Sequence, residues 1–208
     1  VVGGGGAGMS AANSAREAGA SVLVLERAPQ ERRGGNTAFA SGTFRMVHHG
    51  AADIKSVVPD LSEEEIARSD FGQYTRGNYF DDLGRITQYC IDPDLAEVLV
   101  DNSTDTVRWL MRQGVRFLPN WGRQAYKVDG RFIFFGGSVI YANGGGEGLM
   151  NAHFSAAERN GIEICYGARA STLLQGPKGI EGVRAIVDGT QTDIRAKAVV
   201  LACGGVEA

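Results

Sequence analysis

Three glycines near the start of the chain have the spacing of a turn that binds phosphate groups. Gly3, Gly5 and Gly8 fill the frame G-x-G-x-x-G, after the apolar pair Val1-Val2 and before an alanine-rich stretch with helical character. In such a turn the glycines allow a tight bend, close approach of a pyrophosphate and close packing of the helix on a strand, and the helix N-terminus attracts negative charge. The pattern therefore predicts a dinucleotide-binding site.

An acidic residue after the next apolar run strengthens this prediction. Glu26 follows the short strand predicted at 21–25. A carboxylate about 20 residues beyond the glycine turn can accept hydrogen bonds from ribose hydroxyls. A glycine-rich turn without a ligand is the alternative, because 30 of the 208 residues are glycine and chance matches to the frame are easy.

Local signals predict the elements around this turn. A helix is predicted at 9–18, and with the strand at 21–25 it forms a β-α-β unit. Beyond residue 144 the pattern resumes, with a helix to about 160, a short strand at 162–164 and a returning strand at 199–202. Asp129-Gly130 and Asp188-Gly189 each predict a hairpin turn.

Two helix starts are predicted in the middle of the chain. Ser62 with Glu65 forms a capping box, and Asp92 followed by Pro93 is an N-cap followed by proline at the first helical position. The second helix is predicted to run about five turns, until Gly114, with one buried stripe. That stripe is predicted to contain Leu95, Val98, Leu99, Asn102, Thr106, Val107 and Leu110.

Composition argues against several classes of partner. The formal net charge is -3 and no basic run occurs, so neither nucleic acid nor an anionic membrane surface is expected as a partner. No apolar run approaches the roughly 18 residues of a membrane span, so no integral membrane segment is expected. The three cysteines, Cys90, Cys165 and Cys203, lack the spacing of a metal site or a disulfide framework. These features predict a cytoplasmic protein without bound metal.

Four separated segments resemble one known family. They are Gly3 to Gly8 with Glu26, then Arg33-Gly34-Gly35-Asn36-Thr37, then residues 144–150, and finally residues 199–205. Their order and spacing resemble the FAD domain of the fumarate reductase and succinate dehydrogenase flavoprotein family. Within it, residues 109–117 and 121–130 look most like those of FAD-dependent tricarballylate dehydrogenases. The resemblance implies an α/β, Rossmann-like FAD-binding fold, in which helices flank a parallel sheet and a β hairpin or ribbon is added.

The resemblance also implies which residues bind the cofactor. Their backbone or side chains are expected to lie along the pyrophosphate, the adenosine or the isoalloxazine of FAD. The pyrophosphate residues are Gly3, Gly5, Ala7 and Gly8; the ribose residues are Glu26, with Arg27 beside it; the residues along the pyrophosphate and flavin ring are Gly35, Asn36, Thr37 and Gly42; the adenine residue is Ala170; and those of the last turn are Ala202 and Gly204. No histidine occurs at 36–39, where succinate dehydrogenases attach their flavin, so non-covalent FAD is expected.

Two positions depart from the family pattern. Cys203 replaces the usual threonine of the last turn, which is an exchange of one small residue for another. Thr43 stands where many members of the family have a second glycine, so the backbone near the flavin ring is expected to differ there.

The domain prediction follows from both ends of the chain. Only Val1-Val2 precedes the glycine turn, and an apolar strand enters Gly204-Gly205 just before the end. Residues 1–208 are therefore predicted to be a single FAD-binding domain that is incomplete at both ends, with a helical and β-ribbon insertion at about 50–142. The resemblance implies that the substrate-capping domain and the catalytic residues lie beyond residue 208.

The implied activity is hydride transfer between flavin N5 and a small polycarboxylic acid, with an unidentified electron partner. One alternative is a flavoenzyme similar to ketosteroid dehydrogenases. Another is a plain NAD-binding module, which Glu26 supports but the Gly34-Gly35 loop and the returning strand disfavour.

Four further side chains have an open role. His48 or His49 is a candidate active-site residue, and the alternative is an ordinary loop histidine. Arg123 and Lys127 are candidates for attracting a carboxylate, and the alternative is a solvated face of a β ribbon.

Overall fold

The computed structural model describes residues 1–205, so the last three residues of the predicted end segment lie outside it. The chain divides into two compact units. The first contains residues 1–40 and the described residues from 146 onward, and the second contains residues 41–145. The second unit includes the stretch in which the insertion is predicted.

Eight α-helices and eleven short strands are found among the described residues. The helices are α1 (Gly6–Glu17), α2 (Gly35–Ala38), α3 (Ala51–Val57), α4 (Glu63–Ala67), α5 (Arg76–Ile86), α6 (Pro93–Asp101), α7 (Ser103–Gln113) and α8 (Gly145–Arg159). The strands are β1 (Leu23–Leu25), β2 (Thr43–Phe44), β3 (Ser69–Asp70), β4 (Phe117–Pro119), β5 (Ala125–Val128), β6 (Arg131–Phe134), β7 (Ile140–Ala142), β8 (Glu163–Cys165), β9 (Arg169–Gly176), β10 (Gly179–Val187) and β11 (Thr190–Arg195). No described helix has the length and apolar character needed to cross a membrane.

The first unit is built on a small parallel sheet. Strand β1 pairs in parallel with β8, and Val2 forms parallel bridges to Leu25 on one side and Leu201 on the other. The predicted returning strand is thus confirmed in its position beside Val2, although it forms a single bridge. Helices α1 and α8 cover the sheet through a core that contains Met9, Ala12, Val24, Met150, Phe154, Ala157 and Ile162.

An antiparallel sheet completes the first unit. Strand β10 pairs with β9 on one side and with β11 on the other. The predicted hairpin turn at Asp188-Gly189 is confirmed, since both residues have positive φ, at 49° and 76°. Parallel and antiparallel sheets with flanking helices confirm the predicted α/β class.

The second unit contains two three-stranded sheets and the remaining helices. The sheet orders are β2-β7-β4 and β3-β6-β5. The predicted turn at Asp129-Gly130 joins β5 to β6, with φ values of 46° and 84°. Two aromatic residues of β6, Phe132 and Phe134, form a cluster with Phe71 and Trp121. The ring centroids of the contacting pairs lie 4.6–6.2 Å apart.

Both predicted helix starts are confirmed. Ser62 accepts a hydrogen bond from the backbone N–H of Glu65, and the Glu65 carboxylate accepts one from the Ser62 N–H, which closes a capping box on α4. The Asp92 carboxylate accepts from the N–H groups of Asp94 and Leu95, and Pro93 is the first residue of α6. These contacts involve only neighbours in sequence, so the local pattern was sufficient to predict them.

The prediction of one long helix with one buried stripe after Asp92 is wrong, although two members of the predicted stripe, Val107 and Leu110, are buried. The helix is interrupted at Asn102, whose side chain donates to the carbonyl of Val98, while Ser103 donates to the carbonyl of Val100. Side chains that bond nearby carbonyls compete with the helical backbone pattern. Moreover, Leu95, Val98 and Leu99 are exposed by 68%, 63% and 49%. The buried face of α6 is instead formed by Ala96 and Val100.

Candidate functional site

The glycine turn of the first unit joins Val2 to α1. Gly3 has φ 99°, a left-handed conformation, and a Cβ there would lie 2.4 Å from the carbonyl oxygen of Ala202. A Cβ on Gly8 would lie 1.9 Å from the carbonyl oxygen of Gly3, so α1 begins directly against the turn. Gly5 differs from both, because it has an extended backbone and a Cβ there would meet nothing closer than 3.7 Å. Two of the glycines are therefore required by packing, and Gly5 is not.

The turn presents free backbone donors at the start of α1. Within residues 1–205, no hydrogen bond is found from the N–H groups of Gly5, Ala7 or Gly8. The first N–H groups of a helix have no partner inside the helix, and the helix dipole adds partial positive charge there. This arrangement suits a phosphate or pyrophosphate group.

Glu26 closes the turn from the side of β1. Its Oε2 accepts from the N–H of Gly4 at 2.7 Å, and its Oε1 accepts from the N–H of Ala28 at 2.7 Å. The side chain is nearly buried. Each carboxylate oxygen has a second lone pair that can take another donor. Glu26 therefore holds the turn in place and keeps acceptor capacity.

The segment after β1 packs on the same turn. The Thr37 hydroxyl accepts from the N–H of Gly6 at 3.1 Å, and a Cβ on Gly35 would lie 3.7 Å from the Cα of Gly5. Asn36 is exposed, and its carbonyl accepts from the N–H of Phe39 at 3.2 Å. The short helix α2 thus lies directly beside the free donors.

The other predicted cofactor residues are placed as follows. Ala202 donates its N–H to the carbonyl of Val2 at 2.8 Å, and the exposed Gly204 has φ 94°. Ala170 lies in β9 opposite Ala185, and Arg27 is exposed after β1. Gly42 belongs to the second unit, where its carbonyl accepts from the N–H of Ala142. The structure thus brings together the turn, Glu26, the 35–37 segment and Ala202 within the first unit.

The four side chains whose role the sequence leaves open lie in the second unit. Arg123 and Lys127 are exposed, and the Lys127 Nζ lies 5.5 Å from the centroid of the Phe132 ring. His49 is exposed, and its N–H donates to Asp53. His48 is fully buried, and within the described residues neither ring nitrogen has a hydrogen-bond partner. His48 is therefore buried, unlike an ordinary loop histidine, which is usually exposed or hydrogen-bonded.

Burial lowers the pKa of His48 from 6.5 to about 4, although the nearby Asp53 opposes this shift. Because the folded pKa is the lower one, the unfolded chain takes up a proton first as the pH falls through 6.5. We expect His48 to cost ~2 kcal/mol of stability by about pH 5. Urea unfolding of His48→Leu at pH 7.5 and pH 5 should show a pH dependence smaller by that amount.

The control for this measurement is His49→Leu, which keeps His48 and should keep the wild-type dependence on pH. A His48→Leu protein that loses as much stability on acidification as the wild type would contradict the expected effect. Burial also lowers the pKa of His153 in the first unit to about 4, so part of the acid sensitivity should persist in both variants.

Comparison with known proteins identifies the family. The model of the family described as FAD binding domain matches residues 1–208, so the chain belongs to the FAD binding domain family. This membership makes FAD the cofactor and goes against the plain NAD-binding alternative.

Among similar proteins, the fumarate reductase (cytochrome) of Shewanella frigidimarina is 28% identical over 211 residues, which are 99% of this chain and 32% of the relative. The vinyl phenol reductase of Lactiplantibacillus plantarum is 32% identical over 211 residues, which are 99% of this chain and 37% of the relative. The 3-ketosteroid-Δ4-(5α)-dehydrogenase of Rhodococcus jostii RHA1 has a similar structure, with a TM-score of 0.70 and 25% identity over 94% of this chain and 43% of that one. The chain spans about a third of the length of these curated relatives.

The contacts of Arg33, near the turn, are not indicated by any local sequence pattern. Arg33 contacts Phe154 and Tyr166, which are more than a hundred residues away in sequence. The only sequence signal is a basic residue directly before the Gly34-Gly35 pair. No local pattern connects it to its two aromatic partners.

Proposed function

We propose that this chain is the FAD-binding part of an oxidoreductase that transfers a hydride between the flavin and a small polycarboxylic acid. The observation that carries the proposal is the row of free N–H groups at the start of α1, closed by Glu26 and Thr37, in a chain of the FAD binding domain family. The similarity to a fumarate reductase supports a carboxylic acid as substrate. A tricarballylate-like acid is the finer form of the proposal.

Each residue has a proposed role in holding the cofactor. The N–H groups of Gly5, Ala7 and Gly8 bind the pyrophosphate, and Gly3 shapes the turn. Glu26 accepts from the adenosine ribose through the lone pairs that Gly4 and Ala28 leave free. The remaining contacts are assigned to Arg27, Gly35, Asn36, Thr37, Gly42, Ala170, Ala202 and Gly204.

The chemistry of hydride transfer is supplied by the flavin, and the protein positions the substrate against it. The chain offers no histidine at 36–39, so we propose that FAD binds without a covalent bond. In this proposal residues 1–208 form one incomplete domain of a longer protein. The substrate-capping domain and the catalytic residues lie outside it, since relatives that match nearly the whole chain are about three times as long.

A second candidate is a ketosteroid dehydrogenase-like flavoenzyme. The similarity to the Rhodococcus jostii RHA1 dehydrogenase supports it. The two candidates share the FAD site and differ in the substrate. An acid substrate requires cationic groups in the active site, whereas a steroid requires an apolar pocket.

The proposal can be tested with the full-length protein loaded with FAD. We expect flavin absorption bands at about 370 and 450 nm. After anaerobic reduction, fumarate or cis-aconitate should reoxidise the flavin faster than a 3-ketosteroid does. Absence of flavin bands after reconstitution would refute the FAD site, and faster reoxidation by the steroid would support the second candidate instead. For residues 1–208 alone we expect weak FAD retention, and submicromolar affinity in a titration would contradict that expectation.

A further inference from the structure

The guanidinium of Arg33 contacts two aromatic side chains but has no acidic partner among the described residues. Its Nη1 donates to the hydroxyl of Tyr166 at 2.9 Å, and its Cζ lies 4.1 Å from the centroid of the Phe154 ring. Arg184, by contrast, forms two hydrogen bonds with Asp193. Among the described residues, no ion pair of Arg33 is found, and its Nε and Nη2 make no hydrogen bond. Its charge and most of its donors are therefore available to a ligand.

The position of Arg33 is the edge of the sheet where the glycine turn lies. Tyr166 directly follows β8, as Glu26 directly follows β1 and Gly3 directly follows Val2. The carboxyl ends of parallel strands meet at one edge, and α/β proteins bind ligands there. The next residue, Gly34, has its carbonyl oxygen 3.7 Å from where a Cβ on Gly5 would be. Arg33 thus precedes a segment that packs on the turn.

The two aromatic partners fix the guanidinium without neutralising it. The ring of Phe154 is buried, so its face is a fixed platform for a cation. Tyr166 takes one of the five N–H donors and leaves a planar group whose remaining donors match phosphate oxygens. A side chain that is already ordered loses less conformational entropy when a ligand binds. The arrangement suits a fixed anion site better than a solvent-exposed ion pair.

We propose that Arg33 is a cofactor-binding residue whose Nε and Nη2 donate to a phosphoryl oxygen of the FAD pyrophosphate, and that Phe154 and Tyr166 are positioning residues for its guanidinium. This inference rests on the proposed function. It adds a full positive charge to a site that otherwise offers backbone donors. FAD and ADP both carry the pyrophosphate and should depend on Arg33, whereas riboflavin carries none and should not.

The test compares Arg33→Met with the wild type in titrations of the full-length apoprotein with FAD, ADP and riboflavin. Methionine keeps an unbranched side chain of similar length on Phe154 and removes the charge. We expect FAD and ADP to bind about 10–100-fold more weakly, because charge-assisted hydrogen bonds are lost. Riboflavin binding should be unchanged, and the affinity for FAD should become less dependent on salt. The matched control is Arg32→Met, since Arg32 is an exposed neighbour and should leave all three affinities unchanged.

Tyr166→Phe tests the positioning role. It removes one hydroxyl and keeps the ring and the charge of Arg33. We expect a smaller loss of FAD affinity, about 2–5-fold, with the wild-type salt dependence retained.

Each outcome separates this inference from the proposed function. Wild-type affinities for FAD and ADP in Arg33→Met would overturn the role of Arg33 and leave the FAD site standing. An equal loss of riboflavin affinity, with a lower midpoint of urea unfolding, would show that Arg33 acts only through the fold and would also overturn it. A full-length wild-type protein that binds neither FAD nor ADP would overturn both proposals.

Discussion

Alanine at Gly8 should unfold or strongly destabilise the chain, whereas alanine at Gly5 should leave the fold intact and weaken cofactor binding. The Cβ of Gly8→Ala would lie 1.9 Å from the Gly3 carbonyl oxygen and 2.9 Å from its carbon. These are backbone atoms of the turn itself, so they cannot move aside without disrupting the bridges of Val2. We expect a loss of about 3–5 kcal/mol in the free energy of unfolding, measured by urea denaturation.

Gly5→Ala is the matched control, because it makes the same chemical change three residues earlier. Its backbone is extended, and the new methyl group would meet only the Gly34 carbonyl at 3.7 Å and the Thr37 hydroxyl at 3.9 Å. Stability should therefore change by less than about 1 kcal/mol. In the proposed site the methyl group would lie beside the N–H groups that bind the pyrophosphate, so the FAD affinity of the full-length protein should fall at least about 10-fold. A Gly8→Ala chain as stable as the wild type, or a Gly5→Ala chain with full FAD affinity, would contradict this division of roles.

Truncation of Leu110 should cost far more stability than truncation of Leu99, although the sequence pattern assigns both to one buried stripe. Leu110 in α7 is 3% exposed and Leu99 in α6 is 49% exposed. Leu110→Ala leaves a cavity in the packed core of the second unit and should cost about 2–4 kcal/mol. Leu99→Ala removes a side chain that is half in water and should stay within about 0.5 kcal/mol. Urea unfolding of the two variants measures the difference directly.

The two substitutions are chemically identical, so helix propensity and the unfolded chain contribute almost equally to both. Equal losses in stability would mean that the face of α6 with Leu95, Val98 and Leu99 is covered in solution, as the sequence pattern predicted. A near-zero loss for Leu110→Ala would instead mean that α7 packs loosely.

The features that could be predicted from the sequence depend on neighbours in the chain. Asp92 caps α6 through N–H groups two and three residues away, and Asp188-Gly189 forms its turn between strands that adjoin it. The glycine turn and Glu26 belong to one β-α-β unit, so their spacing alone indicated their proximity. In each case the physical constraint acts over a few residues or within one supersecondary unit.

The features that were missed depend on partners far away in sequence. Val98 and Val100 are both valines, and only the elements that pack against α6 determine that Val100 faces the core while Val98 is exposed. Asn102 can occupy a position inside a helix, or its side chain can donate to the carbonyl of Val98 where the helix ends. In this fold it does the second. Arg33 and Tyr166 are separated by 133 positions, so nothing in the residues around Arg33 indicates that contact. Burial and long-range pairing are properties of the folded chain.

The position of Val2 between Leu25 and Leu201 has a consequence for synthesis on the ribosome. The glycine turn is made early, but Ala202, which lies against Gly3, leaves the ribosome only after almost two hundred further residues. Contacts between distant parts of a chain form late, because the loop between them must first be closed. A nascent chain therefore displays an unfinished turn until Ala202 has emerged, and cofactor capture must follow that step.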